Sequence, residues 1–100
     1  MSSEELKEYL RENCCGRTNL RSGKSLEGIF HISENELRRR VNRLRREGVP
    51  IASCRGGYFY ARTAGEAYAT IRALRKMTGG LEAAIRGLEE SLGTFGGGTA

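Results

Sequence analysis

Apolar residues in the first third of the chain recur at the spacing of two amphipathic helices. Over residues 3–14, one helix face is formed by Leu6, Tyr9, Leu10 and Cys14. A shorter helix is predicted to begin after Ser22, a favourable N-cap residue, and to run through Phe30. Residues 31–33 are expected to end it.

A third helix carries the clearest start signal in the sequence. Ser33 and Glu36 have the spacing of a capping box, and Gly48 is a typical stop after Glu47. At about 100° per residue, one side of this helix is formed by three apolar residues, Leu37, Val41 and Leu44. The helix is therefore predicted to bury that side in a core.

Two short β-prone runs follow at 49–54 and 58–61. They are joined through Arg55-Gly56-Gly57, and two glycines between such runs indicate a hairpin. The glycines at this tip are also expected to let a nucleic-acid backbone approach closely. The fold class predicted so far is mainly α with a small β-hairpin, in the order of a winged helix-turn-helix.

The remaining sequence to Leu92 has a heptad pattern typical of a coiled coil. Its a positions are Ala64, Ile71, Thr78, Ile85 and Leu92, and its d positions are Ala67, Leu74, Leu81 and Leu88. Gly79-Gly80 interrupts the middle, where two glycines cost about 2 kcal/mol relative to alanine. Two interpretations stay open: one helix with a weak point, or two helices folded as a hairpin.

Composition argues against an enzyme. The 100 residues include no aspartate and a single histidine, His31, and they hold no catalytic triad, metal-ligand set or phosphate-binding loop. We expect no catalytic residue, metal, cofactor or small-molecule effector. No apolar run reaches the ~20 residues that span a bilayer. The three cysteines lack the spacing of a disulfide or zinc motif, so we expect them to be free thiols in the cytoplasm.

Charge is concentrated in the middle of the chain. Residues 17–62 hold eleven basic and four acidic side chains, whereas the whole chain has a formal charge of +5. Such clustering is typical of a protein that binds a polyanion. A uniformly solvated basic surface is the alternative explanation.

The predicted DNA-contacting residues lie mainly on the polar side of the third helix. Arginine suits guanine edges and asparagine suits adenine edges, so the base-reading residues are predicted to be Asn35, Arg39, Asn42 and Arg43. Contacts to the DNA backbone are assigned to Arg17, Arg21, Lys24, Arg38, Arg46 and Arg55. Arg40 and Arg45 flank this face, which gives six arginines between residues 38 and 46.

Five stretches of the chain together resemble a known family: 22–27, 31–33, 37–41, 44–51 and 55–58. They are similar to the helix-turn-helix type 11 winged domains, which form the DNA-binding ends of biotin-repressor-like and related bacterial and phage regulators. The resemblance covers residues 20–61 and implies that the helix at 33–47 is the recognition helix and 49–61 the wing. His31 stands where the family usually has glycine, and histidine tolerates positive φ.

The C-terminal heptads predict a dimer. Their exposed apolar residues would be Ile71, Leu74, Leu81, Ile85, Leu88 and Leu92. Leaving such a stripe in water is unfavourable, and a symmetric homodimer is the commonest partner. The predicted organisation is a winged helix-turn-helix domain at 1–62, a helical dimerisation segment at 63–93 and a flexible tail at 94–100.

Two functional hypotheses follow. The first is a sequence-specific double-stranded DNA-binding protein, a dimeric phage or bacterial transcriptional regulator with no membrane association. The second is a non-enzymatic adaptor that uses the same fold to dock a component of a phage replication, packaging or transcription complex. Salt dependence of DNA binding discriminates between the two.

Overall fold

A computed structural model describes residues 3–92 of the chain. This part is mainly helical, with one two-stranded antiparallel hairpin and a long C-terminal helix. In chain order the elements are α1 (Ser3–Asn13), a 3₁₀ turn (Arg17–Asn19), α2 (Gly23–Phe30), α3 (Glu34–Arg46), β1 (Ile51–Cys54), β2 (Gly57–Tyr60) and α4 (Ala64–Ser91). The predicted fold class is thus confirmed at this level.

Local capping sets the limits of α2 and α3, as the sequence predicted. The Ser22 hydroxyl accepts a hydrogen bond from the Ser25 N–H, and the Ser33 hydroxyl accepts one from the Glu36 N–H, both at 3.1 Å. His31 ends α2 in the left-handed region with φ 55°. Only a short turn therefore separates the two helices.

The helices α1, α2 and α3 and the hairpin share one apolar core. Its buried residues are Leu6, Leu10, Cys14, Leu26, Phe30, Leu37, Val41, Leu44, Ile51, Ala52 and Phe59. The three apolar residues predicted to form the buried side of α3 are all in this set. Full burial of each large aliphatic side chain stabilises the fold by roughly 1.5–3 kcal/mol.

Strand β2 makes backbone hydrogen bonds along both of its edges. One edge pairs with β1, in the register that places Phe59 opposite Ala52. Along the other edge, Tyr58 exchanges two N–H···O bonds of 2.9 Å with Arg21, and the Tyr60 N–H donates to the Cys14 carbonyl at 2.8 Å. The connection between α1 and α2 thus pairs with β2 at two isolated bridges and ties the hairpin to both helices.

The described part of the chain divides after Thr70 into two compact units. The first turns of α4 belong to the first unit, where the Thr70 hydroxyl accepts from the Ser53 N–H at 3.0 Å and lies 3.3 Å from the Ser53 carbonyl. The boundary that the sequence predicts at residue 62, between a DNA-binding domain and a dimerisation segment, stays a prediction. The tail predicted at 94–100 lies outside the described residues.

Helix α4 runs without a break through Gly79-Gly80. Of the two interpretations of the C-terminal segment, the single helix is confirmed and the helical hairpin is wrong.

The three cysteines are free, with Cys14 buried in the core. Within residues 3–92, no helix is long and apolar enough to cross a bilayer.

Glu66 is expected to make stability depend on pH in the acid range. Its carboxylate accepts from the Arg62 N–H at 2.7 Å and from the Arg17 N–H at 3.1 Å. Chiefly through the bond from Arg62, these contacts lower the pKa of Glu66 below its ordinary value of 4.5. A carboxyl whose pKa falls on folding stabilises the folded chain above pH 4.5 and loses that contribution as the pH drops through the folded pKa.

We therefore expect Glu66→Gln to flatten the loss of stability that accompanies a fall in pH from neutral to below 4.5. Urea unfolding of the wild type and the variant over this range measures the effect. Glu12→Gln, an exposed site on α1, is the matched control and should keep the wild-type pH dependence. Parallel curves for Glu66→Gln and the wild type would show that these backbone contacts do not act through the carboxylate charge.

Candidate nucleic-acid interface

The exposed side of α3 presents a cluster of cations and amides. Because Leu37, Val41 and Leu44 are buried, the opposite side of the helix faces outward. There a shallow depression of 280 Å³ is lined by Arg39, Asn42, Arg43 and Arg46. Three of the four residues predicted to read bases are thus brought together with one predicted backbone contact. We call this cluster the α3 face.

Two carboxylates, one on α3 and one at its C-terminal end, form ion pairs with arginines of the α3 face. Arg39 lies 3.3 Å from Glu36, and Arg43 lies 4.0 Å from Glu47. The side chains of Arg39 and Arg43 are nevertheless 78% and 68% exposed. Exposed pairs of this kind contribute about 0–1 kcal/mol, so a phosphate or base edge can displace them at small cost. The sequence-based expectations did not include these two ion pairs. Their i, i+3 and i, i+4 spacing is nevertheless typical of ion pairs on a helix and could have predicted them.

Two of the six arginines between residues 38 and 46 point into the protein. Arg45 donates from Nε to the Ile51 carbonyl at 2.8 Å and from a terminal nitrogen to the Ser53 hydroxyl at 3.0 Å. Burial lowers the pKa of Arg45 from its ordinary value. The Arg40 side chain is only 12% exposed and bonds to Glu36 at 3.1 Å. The outward cations of α3 are therefore four rather than six.

We expect Arg45→Ala to destabilise the fold by about 2 kcal/mol, because a charged donor to β1 is removed from a partly buried site. Arg46→Ala is the matched control: its side chain lies on the α3 face, and its expected effect is within about 0.5 kcal/mol of zero. Urea unfolding of both variants measures the difference. Equal unfolding midpoints for the two would contradict a bracing role for Arg45.

A second site with predicted backbone contacts lies where α2 begins beside α3. Lys24 and Arg38 line a groove of 270 Å³ together with Tyr58, and both cations are exposed. Glu27 and Glu34 line the same groove, and Arg38 bonds to Glu34 at 3.0 Å. Two predicted backbone contacts are thereby placed side by side, with two carboxylates beside them.

The other predicted contacts lie apart from these two clusters. Arg55 is exposed at the turn of the hairpin, and Asn35 is exposed in the first turn of α3. The Arg21 guanidinium stacks over the Tyr9 ring at 5.7 Å. Arg17 lines a different depression, shared with the hairpin and the start of α4, so it does not join the basic groups around α3.

Comparison with known proteins adds no relative: no family model, no curated protein and no solved structure matches the chain. Within residues 3–92, no group of three or more histidine, cysteine or acidic side chains is placed to hold a metal ion. The residues around α3 and the hairpin are therefore the basis on which a function is inferred.

Proposed function

We propose that this chain is a sequence-specific double-stranded DNA-binding protein of winged helix-turn-helix type, with α3 as the recognition helix. The observation that carries the proposal is the α3 face: three arginines and an asparagine on the exposed side of a thirteen-residue helix whose other side is buried. A helix of about 10–12 Å diameter fits the major groove, which is about 12 Å wide.

The arrangement of elements supports this fold assignment. A short turn at 31–33 joins α2 to α3, as in a helix-turn-helix unit. The hairpin follows α3 directly, and its second strand pairs with the connection before α2. Because Arg45 also bonds to β1, the hairpin is held beside the C-terminal end of α3. This position supports a role for the hairpin as a wing beside the proposed recognition helix.

The side chains divide naturally between reading bases and holding phosphates. Arg39 and Arg43 have the planar donors that bind guanine edges, and Asn42 has the amide that binds adenine edges. Asn35, nearer the start of α3, is a further base-reading candidate. Phosphate contacts are assigned to Lys24, Arg38 and Arg46 around this helix and to Arg55 at the turn of the hairpin.

Dimerisation through α4 completes the proposal. The heptad residues from Ile71 onward are exposed, including Leu81 at 65% and Leu88 at 69%. A symmetric dimer would cover them and present two α3 faces to an inverted repeat, as in dimeric helix-turn-helix regulators. A phage or bacterial transcriptional regulator in the cytoplasm is the role that fits such a protein.

Selection of bound duplexes from a random pool tests the proposal. We expect a consensus built of two related half-sites in inverted orientation. Affinity for the selected duplex should fall with salt at a log–log slope near −0.9 for each phosphate neutralised. A pool that yields no consensus, together with a flat salt response, would overturn the proposal.

A protein-docking adaptor is the second candidate. The observation in its favour is the acidic character mixed into the basic surface, since Glu34, Glu36 and Glu47 each pair with an arginine of α3. A mixed-charge surface suits a folded protein partner, such as a component of a replication, packaging or transcription complex. Strong, salt-sensitive binding to duplex DNA would decide against it.

A further inference from the structure

We infer that residues 71–92 pair with a second copy of the same segment in antiparallel orientation, with Arg75 of each copy facing the partner's Glu82. The inference deepens the proposed function, because it rests on the dimer proposed there and specifies its direction. Its support comes from the exposed residues of α4 and from the charges that border them.

The second unit carries an apolar stripe that a second copy would cover. On α4, and at Leu92 directly after it, the stripe comprises Ile71, Leu74, Leu81, Ile85, Leu88 and Leu92, with exposed fractions between 38% and 69%. The heptad repeat makes the stripe self-complementary, since isoleucine occupies two a positions and leucine occupies all three d positions from residue 71 to residue 88. Packing against an identical stripe removes it from water.

The positions that border this stripe differ in chemistry. The e positions from residue 75 onward are charged: Arg75, Glu82 and Glu89. The g positions are uncharged: Met77, Ala84 and Ser91. Side chains at e and g set the orientation of paired helices, because they meet across the seam.

A parallel pair would bring no opposite charges together. In that orientation each g residue meets the e residue five positions later on the partner. Met77 would face the partner's Glu82, and Ala84 would face the partner's Glu89. Each carboxylate would then border an uncharged side chain.

An antiparallel pair places the two e flanks together on one side and the two g flanks together on the other. With Ile71 packed on the partner's Leu88, and Thr78 on the partner's Leu81, Arg75 faces the partner's Glu82. Symmetry produces this ion pair twice. On the opposite side, Met77 meets the partner's Ala84, so an exposed apolar side chain is covered as well.

The charges also favour this register. Sliding the helices by one heptad in one direction sets Arg75 against the partner's Arg75. Sliding them in the other direction pairs Arg75 with the partner's Glu89 but sets Glu82 against the partner's Glu82. Like charges at such positions are unfavourable. The register that pairs Arg75 with Glu82 has no such like-charge contact between e positions, and it keeps the three layers from Ile71 to Thr78 and their symmetry mates intact.

A charge exchange tests the orientation. Arg75→Glu and Glu82→Arg should each raise the dimer dissociation constant about tenfold, because two attractive pairs become repulsive. The double variant Arg75→Glu/Glu82→Arg should restore the dissociation constant of the wild-type dimer. Lys76→Glu, at the outer f position beside Arg75, is the matched control and should change it little. Equilibrium sedimentation of the full chain measures each constant; two single variants with the wild-type constant would overturn the proposed pairing.

Cross-linking provides an independent readout in the variant Ile71→Cys/Leu88→Cys. Antiparallel pairing forms a disulfide between Cys-substituted positions 71 and 88 of different copies, identified by mass spectrometry of proteolytic peptides. Within one helix these positions are roughly 25 Å apart, so the link reports on two chains. Links of position 71 to position 71 and of position 88 to position 88 would show a parallel dimer. That result would overturn the antiparallel orientation but not the proposed dimer. A monomeric wild type would overturn the dimer, while DNA selection tests the α3 face separately.

Discussion

Replacing Gly57 by alanine is expected to destabilise the first unit by about 3 kcal/mol or more, a large part of the stability of a small domain. Gly57 has φ +149°, a conformation that L side chains rarely adopt. A Cβ built at this position would lie 2.2 Å from the Arg21 carbonyl oxygen and 2.8 Å from the Ser22 Cα. Relieving that overlap requires the backbone to move where Tyr58 and Arg21 exchange hydrogen bonds.

Gly28→Ala is the matched control for this prediction. Gly28 lies within α2, is exposed, and has nothing within 4 Å of a built Cβ. Alanine there should stabilise the fold by roughly 0.5–1 kcal/mol because it lowers the backbone entropy lost on folding. Urea unfolding of the two variants should therefore shift the midpoint in opposite directions. A Gly57→Ala midpoint equal to that of the wild type would show that the connection before α2 does not need this close approach.

The second large effect is expected from the double variant Arg39→Ala/Arg43→Ala, which should weaken DNA binding. Both side chains lie on the α3 face and make only exposed ion pairs, so their removal should leave folding nearly unchanged. Truncating one arginine that binds a guanine edge weakens specific binding by about 1–3 kcal/mol. The double variant should therefore bind the selected duplex roughly 30-fold to 25,000-fold more weakly. Its preference over random duplex should disappear.

Lys76→Ala/Arg86→Ala removes the same charge from the outer positions of α4 and serves as the control. Fluorescence anisotropy with labelled selected and random duplexes measures both variants over a salt series. If loss of net charge alone weakens binding, the two double variants will behave alike. Wild-type affinity with an unchanged salt slope for Arg39→Ala/Arg43→Ala would remove the α3 face from the proposed site.

The hairpin marks the point at which local sequence patterns stop being informative. The glycines before Tyr58 correctly predict a turn between two strands, while close approach of a nucleic acid to this tip stays a prediction. In the folded chain, Gly57 makes room for the Arg21 backbone, and a Cβ at Gly56 would lie 3.1 Å from Leu20. A glycine pair indicates that another group packs closely against the backbone. Which group does so depends on a segment distant in sequence.

Helix positions, helix ends and the buried side of α3 were all readable from the amino-acid sequence, because each depends on residues three or four positions apart. The Ser22 and Ser33 caps and the heptad pattern of α4 are of this kind, whereas the continuation of α4 through Gly79-Gly80 was decided only by the structure. The orientation of the arginines was not readable. Arg45 bonds to Ile51 and Ser53 across a chain reversal, and Arg40 is withdrawn from solvent, so folding alone separated the arginines that brace the protein from those that remain exposed.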